Sequence, residues 1–147
     1  MDTKFSVAIH VLILISESPQ LLSSEQMAGS VGTNSSYIRK ILSLLKRGKI
    51  IDGHQGISGY KLTTIPERIN LLQIYISIME KSKVHLLDIH QNPNDRCVVG
   101  NYIKSVLFEI FTNAEKAFAD MLAGKTLADC INTMRNKINN DAQPNTI

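Results

Sequence analysis

Ser35, Ser36, Tyr37, Arg39, Lys40, Ser43 and Arg47 bring three permanent positive charges and several hydroxyls together within a single short segment. Such a set suits a polyanion: the cations neutralise phosphate, and Arg, Ser and Tyr side chains also hydrogen-bond base edges. A second chemical candidate is Cys97, beside Arg96 and close to a long helical pattern. Positive charge and a helix N-terminus both favour the thiolate, the form that oxidants attack. His85 and His90 with Cys97 make a nominal ligand set, but their spacing matches no standard zinc pattern. No metal site is therefore expected.

The charge around the first set is uneven. From Arg39 to Lys61 six basic residues face the single acid Asp52, while the rest of the chain is net negative within an overall +3. A basic block on a mildly acidic body points to a local anion-binding face. A merely solvated helix face is the alternative, and the flanking elements decide between them.

Those elements are legible from periodicity. Residues 3–16 read as a helix apolar almost all round, hence buried, with His10 a satisfied core residue. Ser23-x-x-Gln26 is a capping-box pattern opening a short helix to about Val31. Gly32-Thr33-Asn34 makes a tight turn, and Asn34 or Ser35 can cap the next helix. From Ser35 to Arg47 the apolar residues are Ile38, Ile41, Leu42 and Leu45, the i, i+3, i+4, i+7 pattern. They fall within an arc of about 100°, with Ser36, Lys40, Ser43 and Arg47 opposite. Gly48 reads as a left-handed cap.

A short helix, a glycine turn and an amphipathic helix with a basic polar face form a helix-turn-helix signature. Lys49–Ile51 and Tyr60–Leu62 can pair as a hairpin around a loop with three glycines, a wing beside the reading helix. The expected DNA-binding set is therefore Ser24, Asn34, Ser35, Ser36, Tyr37, Arg39, Lys40, Ser43, Arg47, His54, Gln55, Gly56, Ser58 and Tyr60. Here Ser24 stands where free helix N–H groups receive phosphate. His54, at the wing tip, either contacts phosphate or is solvated. Ordinary hairpin geometry also accounts for the glycines.

Residues 71–79 read as a fourth helix, and residues 81–100 as an irregular, sensor-like loop long enough to be functional. A long helix over 101–123 carries a seam of Ile103, Leu107, Ile110, Ala114 and Met121, widened by Phe111 and Phe118. One strip can pack at home while the other meets a second copy. Thr126-x-x-Asp129 caps a last helix to about Ile138, and 139–147 read as a disordered tail. The fold class is thus mainly α with a small hairpin. A winged helix-turn-helix spans 1–80, and a dimerisation helix with the last helix spans 101–138.

Composition agrees. The 147 residues are 44% hydrophobic and 20% charged, ordinary for a globular chain, with no Trp and only two Cys. The longest apolar run, 7–15, is interrupted by His10 and falls well short of the roughly 20 residues that span a bilayer. The start makes a poor signal peptide, so no membrane partner and a cytoplasmic place are expected. No nucleophile–base set, phosphate loop or metalloprotease motif suggests an enzyme.

Several stretches together resemble the Rrf-two family of bacterial winged-helix transcription regulators. They are 22–31, 32–42, 56–62, 69–75, Cys97-Val-Val-Gly100 and Thr126-Leu-Ala-Asp129, in that family's order and spacing. The resemblance implies a homodimer crossed by the long helix, with two winged helices on an inverted-repeat, double-stranded operator. Repression is the usual outcome for so small a regulator. Members that hold an iron–sulfur cluster place three Cys in the loop before the long helix; here only Cys97 stands there. A cluster is not expected, since clusters need several thiolates. The family also contains single-Cys oxidant sensors, so Cys97 is a redox candidate; a small buried packing residue is the alternative. Cys130, amid Leu127, Ala128 and Ile131, reads as core. A winged-helix protein-interaction or small-ligand module without a DNA role is the competing function, and the signal is not specified by the sequence.

Overall fold

A computed structural model describes residues 2–53 and 59–142. Six helices and one hairpin follow in the order α1 (Lys4–Glu17), α2 (Ser24–Val31), α3 (Ser35–Arg47), β1 (Ile51–Asp52), β2 (Lys61–Leu62), α4 (Leu71–Met79), α5 (Val98–Ala123) and α6 (Leu127–Ala142). A single 3-10 turn, Pro66–Arg68, precedes α4.

The starts of α2 and α3 are fixed by local chemistry. The Gln26 N–H donates to Ser23 Oγ at 3.2 Å and the Ser23 N–H to Gln26 Oε1 at 2.9 Å, a complete capping box. Gly32, at φ 82°, turns the chain in the left-handed region. Asn34 Oδ1 then accepts the Tyr37 N–H at 2.9 Å and opens α3. On α3, Ile38, Ile41, Leu42 and Leu45 are buried as the spacing requires, and Leu44 joins them. They pack against Ala8, Val11 and Leu12 of α1, Met27 of α2 and Ile74 and Ile78 of α4. This core sets the angle between α2 and α3.

The hairpin pairs Ile51 with Leu62 and Asp52 with Lys61, antiparallel. Its first strand starts two residues later than expected. Lys49, not Gly48, takes the left-handed conformation, at φ 60°, while Gly48 stays right-handed at φ −74°. Gly48 is instead a contact glycine, because a methyl group there would overlap the Ser77 hydroxyl of α4. The left-handed position expected at Gly48 is thus occupied by Lys49. His54, Gln55, Gly56 and Ser58 lie outside the described residues.

Helix α1 is less enclosed than its composition suggests. Only Ala8, Val11 and Leu12 are buried, and Ile9, Ile13 and Leu14 line a surface groove of about 820 Å³ with Leu22 and Met134. His10 is half-buried on this groove, its Nε2 3.0 Å from Ser30 Oγ.

The long helix begins at Val98, three residues earlier than the spacing indicates, and Gly100 sits inside it. A methyl group at Gly100 would overlap the Asn94 carbonyl, so the preceding loop folds tightly over the first turn. Near the other end, Leu122 and Phe118 join a second cluster with Tyr75 and Val84. Phe5, Tyr75 and Phe118 stack edge to face, tying α1, α4 and α5 together. Helix α6 then returns to the first core through Leu127 and Ile131. Thr126 and Asp129 cap each other's backbone at 2.8 and 3.1 Å, and the Leu127 N–H donates to the Ile69 carbonyl. Helix α6 runs to Ala142, so residues 139–142, expected in the tail, are helical. Residues 143–147 lie outside the described residues.

Candidate nucleic-acid interface

Amphipathicity turns one face of α3 inward and leaves Ser36, Arg39, Lys40, Ser43 and Arg47 exposed on the other. Ser24, half-buried in the first turn of α2, adjoins this face. Lys40 and Ser43 make no side-chain hydrogen bond or ion pair among the described residues, so both are free to meet a ligand.

The remaining expected residues are engaged to different degrees. Asn34 spends its side-chain oxygen on the cap of α3. Ser35 is half-buried in the first turn, and Tyr37, also half-buried, packs its ring on the main core. Tyr60 packs there too, its ring against the space left by Gly53, and acts as a strut under the hairpin. Arg47 Nη1 lies 2.9 Å from Glu80 Oε1, so its charge is already matched by the end of α4. Lys46 Nζ reaches the Gly53 carbonyl at 3.4 Å and ties α3 to the hairpin.

Arg39 is held most fully. Its Nη1 donates to Ser24 Oγ at 3.3 Å and lies 3.5 Å from Glu25 Oε1, and its Nη2 donates to Ser36 Oγ at 3.1 Å. Glu25 was not singled out by the sequence. An acid in the first turn of a helix reads as a helix-dipole partner, and nothing local ties it to a residue on the next helix. Its carboxyl is held below the usual range, first by its own backbone N–H and then by the Ser24 hydroxyl and the Arg39 charge.

The arrangement is a cationic, hydroxyl-lined ridge on a two-helix corner, with a hairpin alongside. A helix of 13 residues is about 20 Å long and fits a major groove roughly 12 Å wide. The sequence profile of Rrf2, described as iron-dependent transcriptional regulators, matches residues 1–133.

The chain belongs to the Rrf2 family.

Members of the Rrf2 family regulate transcription and are not enzymes. YwnA of Bacillus subtilis (strain 168), named "Putative HTH-type transcriptional regulator YwnA", is 37% identical over 132 residues, 90% of this chain and 97% of that protein. A crystal structure described as a putative DNA binding protein superposes with a TM-score of 0.72 at 35% identity, over 87% of this chain and 98% of that one. CymR, the global cysteine regulator of B. subtilis, shares the fold with a TM-score of 0.64 at 18% identity, over 90% and 96% of the two chains. The winged helix-turn-helix architecture is thus the one this family uses. No helix among the described residues is long and apolar enough to cross a membrane.

The Rrf2 description raises the question of iron. Cys97 is the single thiol in the segment before α5, and Cys130 lies on α6. His85 is occupied differently: Nε2 is 2.6 Å from Asp88 Oδ1 and Nδ1 is 3.6 Å from Glu115 Oε1. Among the described residues no three His, Cys, Asp or Glu side chains come together as a metal-binding group. One exposed thiol in the segment before α5 and a half-buried one on α6 do not make the donor set of an iron–sulfur cluster.

Cys97 sits at the N-cap of α5 and is exposed, which removes the reading of a buried packing residue. The N–H groups of Gly100 and Val99 hold its thiol below the ordinary cysteine value. The helix end, rather than the neighbouring Arg96 charge, supplies the effect. Cys130 is half-buried, and burial followed by the Asp129 charge pushes its thiol up.

Proposed function

We propose that the chain is a homodimeric transcriptional repressor that binds an inverted-repeat, double-stranded DNA operator and responds to oxidation of Cys97. The observation that carries DNA binding is the exposed ridge of Arg39, Lys40 and Ser43 on the second helix of a helix-turn-helix. The relative described as a DNA binding protein, at 35% identity, supports the same assignment. In this reading Ser24, Ser35, Ser36, Tyr37, Arg39, Lys40 and Ser43 face the groove or its phosphates.

Dimerisation is supported by the uncovered face of α5. Tyr102, Val106, Ile110 and Met121 are each more than half exposed and recur at helical spacing. Ile103 and Leu107 flank this stripe half-buried, and Ala114 is exposed on it. Of the other expected seam residues, Phe118 packs on Tyr75 within its own chain, and Phe111, half-buried, lines the cleft under the loop. Two copies joined through the stripe would supply the two α3 ridges that an inverted repeat demands.

The redox arm rests on an exposed, acidified thiol. Its thiolate attacks one oxygen of hydrogen peroxide, the O–O bond breaks, and the products are Cys97 sulfenic acid and hydroxide. The new hydroxyl at the start of α5 alters the cap of the helix that carries the proposed dimer stripe.

Fluorescence anisotropy with DNA recovered by selection from a random library tests the reading. A sequence preference, with affinity falling steeply as salt rises, is expected of a DNA regulator. A protein-interaction module gives no such slope. Sedimentation reads the dimer directly, and peroxide that leaves operator affinity unchanged would sink the redox arm.

A further inference from the structure

We propose that Glu25 is a positioning residue for base recognition: with the Ser24 and Ser36 hydroxyls it fixes the Arg39 guanidinium at the seam of α2 and α3, where it meets a guanine. The inference rests on the reading that α3 enters the major groove. It adds that preference at one operator position depends on a carboxylate that itself reads no base.

A long exposed side chain is ordinarily mobile, and ordering it on binding opposes association. Here the ordering is done beforehand. Nη1 is held from α2 by Ser24 Oγ at 3.3 Å and Glu25 Oε1 at 3.5 Å, and Nη2 from α3 by Ser36 Oγ at 3.1 Å. Contacts on two nitrogens from two helices fix both the position of the planar group and its rotation. The Ser24 hydroxyl also donates to Glu25 Oε2 at 3.3 Å, so the carboxylate is itself restrained.

The count of donors is what makes the arrangement selective. Guanidinium has five N–H groups, and the hydroxyls and the carboxylate face only the two Nη atoms. Arg39 Nε–H and one hydrogen on Nη2 have no partner among the described residues. Nε and Nη2 share one edge of the planar group, and that edge suits the O6 and N7 acceptors of guanine, the commonest bidentate contact in the major groove. Adenine offers a donor where guanine offers O6, so a fixed fork rejects it.

Glu25 also lies in the first turn of α2, where an acid favours the helix dipole. A purely structural role therefore has to be separated from positioning. The full-length wild type, Glu25→Gln and Arg39→Ala are each measured on the selected operator and on operators with one base pair replaced at a time. Arg39→Ala is expected to abolish preference at one guanine. Glu25→Gln should weaken preference at that same guanine by about fivefold, the lower end of what a bidentate Arg–guanine pair discriminates. Its salt slope should remain that of wild type, because no phosphate contact is lost. The double variant should lose no more than Arg39→Ala alone.

Unchanged preference at the Arg39-dependent position in Glu25→Gln overturns the inference. So does an equal gain in affinity on every sequence, the result of simply removing a negative charge near phosphate, and so does a change in thermal midpoint alone. Wild-type preference that Arg39→Ala leaves untouched overturns this inference and spares the DNA reading. A wild type with no sequence preference overturns both.

Discussion

Tyr75 and Phe118 meet edge to face, with ring centroids 5.6 Å apart and planes at 71°. Because Tyr75 also touches Phe5 in the same manner, one phenol ring joins the first helix, the fourth and the end of the long α5. The long helix is therefore anchored to its own winged-helix body near its C-terminal end, while Tyr102, Val106 and Ile110 on the preceding turns stay uncovered.

Two variants separate these roles. Phe118→Ala should lower stability in urea unfolding by about 2 kcal/mol, less than a fully buried Phe because this one is half-buried. Ile110→Asp, on the uncovered face, should leave the far-UV spectrum of the monomer intact and shift sedimentation toward the monomer. If Ile110→Asp sediments like wild type, the stripe is not the dimer contact.

A comparison of Lys40 with Arg47 tests the reading face. Both are exposed cations on the polar side of α3, yet Arg47 is paired with Glu80 at 2.9 Å while Lys40 has no partner among the described residues. Lys40→Ala should weaken operator binding by about 1–3 kcal/mol if it meets a base. Arg47→Ala should cost far less, since the charge it removes is already compensated, and it releases Glu80. Anisotropy titrations at two salt concentrations check both; equal losses would place Arg47 on the DNA as well.

The contrast also shows which parts of the molecule are legible in sequence. Ile38, Ile41, Leu42 and Leu45, the Ser23–Gln26 capping box and the Thr126–Asp129 cap are set by residues within one or two turns of each other, so spacing alone finds them. Gly48 was misread because its role depends on Ser77, on a helix that packs against it only in the folded chain. Val98 and Gly100 are poor helix formers by propensity, and the close approach of the Asn94 carbonyl to Gly100 is a contact that no spacing in the sequence reveals. The Arg39–Glu25 contact crosses from α3 to α2, and no periodicity links the two. A heptad seam likewise cannot say that Phe118 stays at home while Ile110 remains uncovered.

The loop before α5 is fastened by Glu115, whose Oε1 accepts the N–H groups of Leu86 at 2.8 Å and Leu87 at 3.0 Å. These two bonds, and after them the charges of His85 and Lys83, hold the Glu115 carboxyl below its ordinary value. The folded pKa is thus lower than the unfolded one. The contact contributes fully above the unfolded value and is lost as pH falls through the folded one. The amide resonances of Leu86 and Leu87 should titrate together, with a midpoint below the roughly 4.3 of a free glutamate. Glu115→Gln should abolish that titration and speed hydrogen exchange at both amides. A midpoint at or above the free value would mean that the carboxylate does not fasten the loop.

Cys97 and Cys130 should differ in reactivity for opposite physical reasons. The Gly100 and Val99 N–H groups stabilise the Cys97 thiolate, whereas burial and the Asp129 charge disfavour that of Cys130. Alkylation by iodoacetamide, followed by mass spectrometry, should therefore label Cys97 first in the folded protein. Its rate should rise with pH with a midpoint below the roughly 8.5 at which a free cysteine is half ionised. Cys130 should react slowly until the chain is unfolded, and Cys97→Ser should remove the fast phase alone. Sulfenic acid trapped by dimedone after peroxide should follow the same order, because the same thiolate is the attacking species. If Cys130 is labelled as quickly as Cys97, the helix end does not activate the thiol, and the redox arm of the proposed function loses its chemical basis.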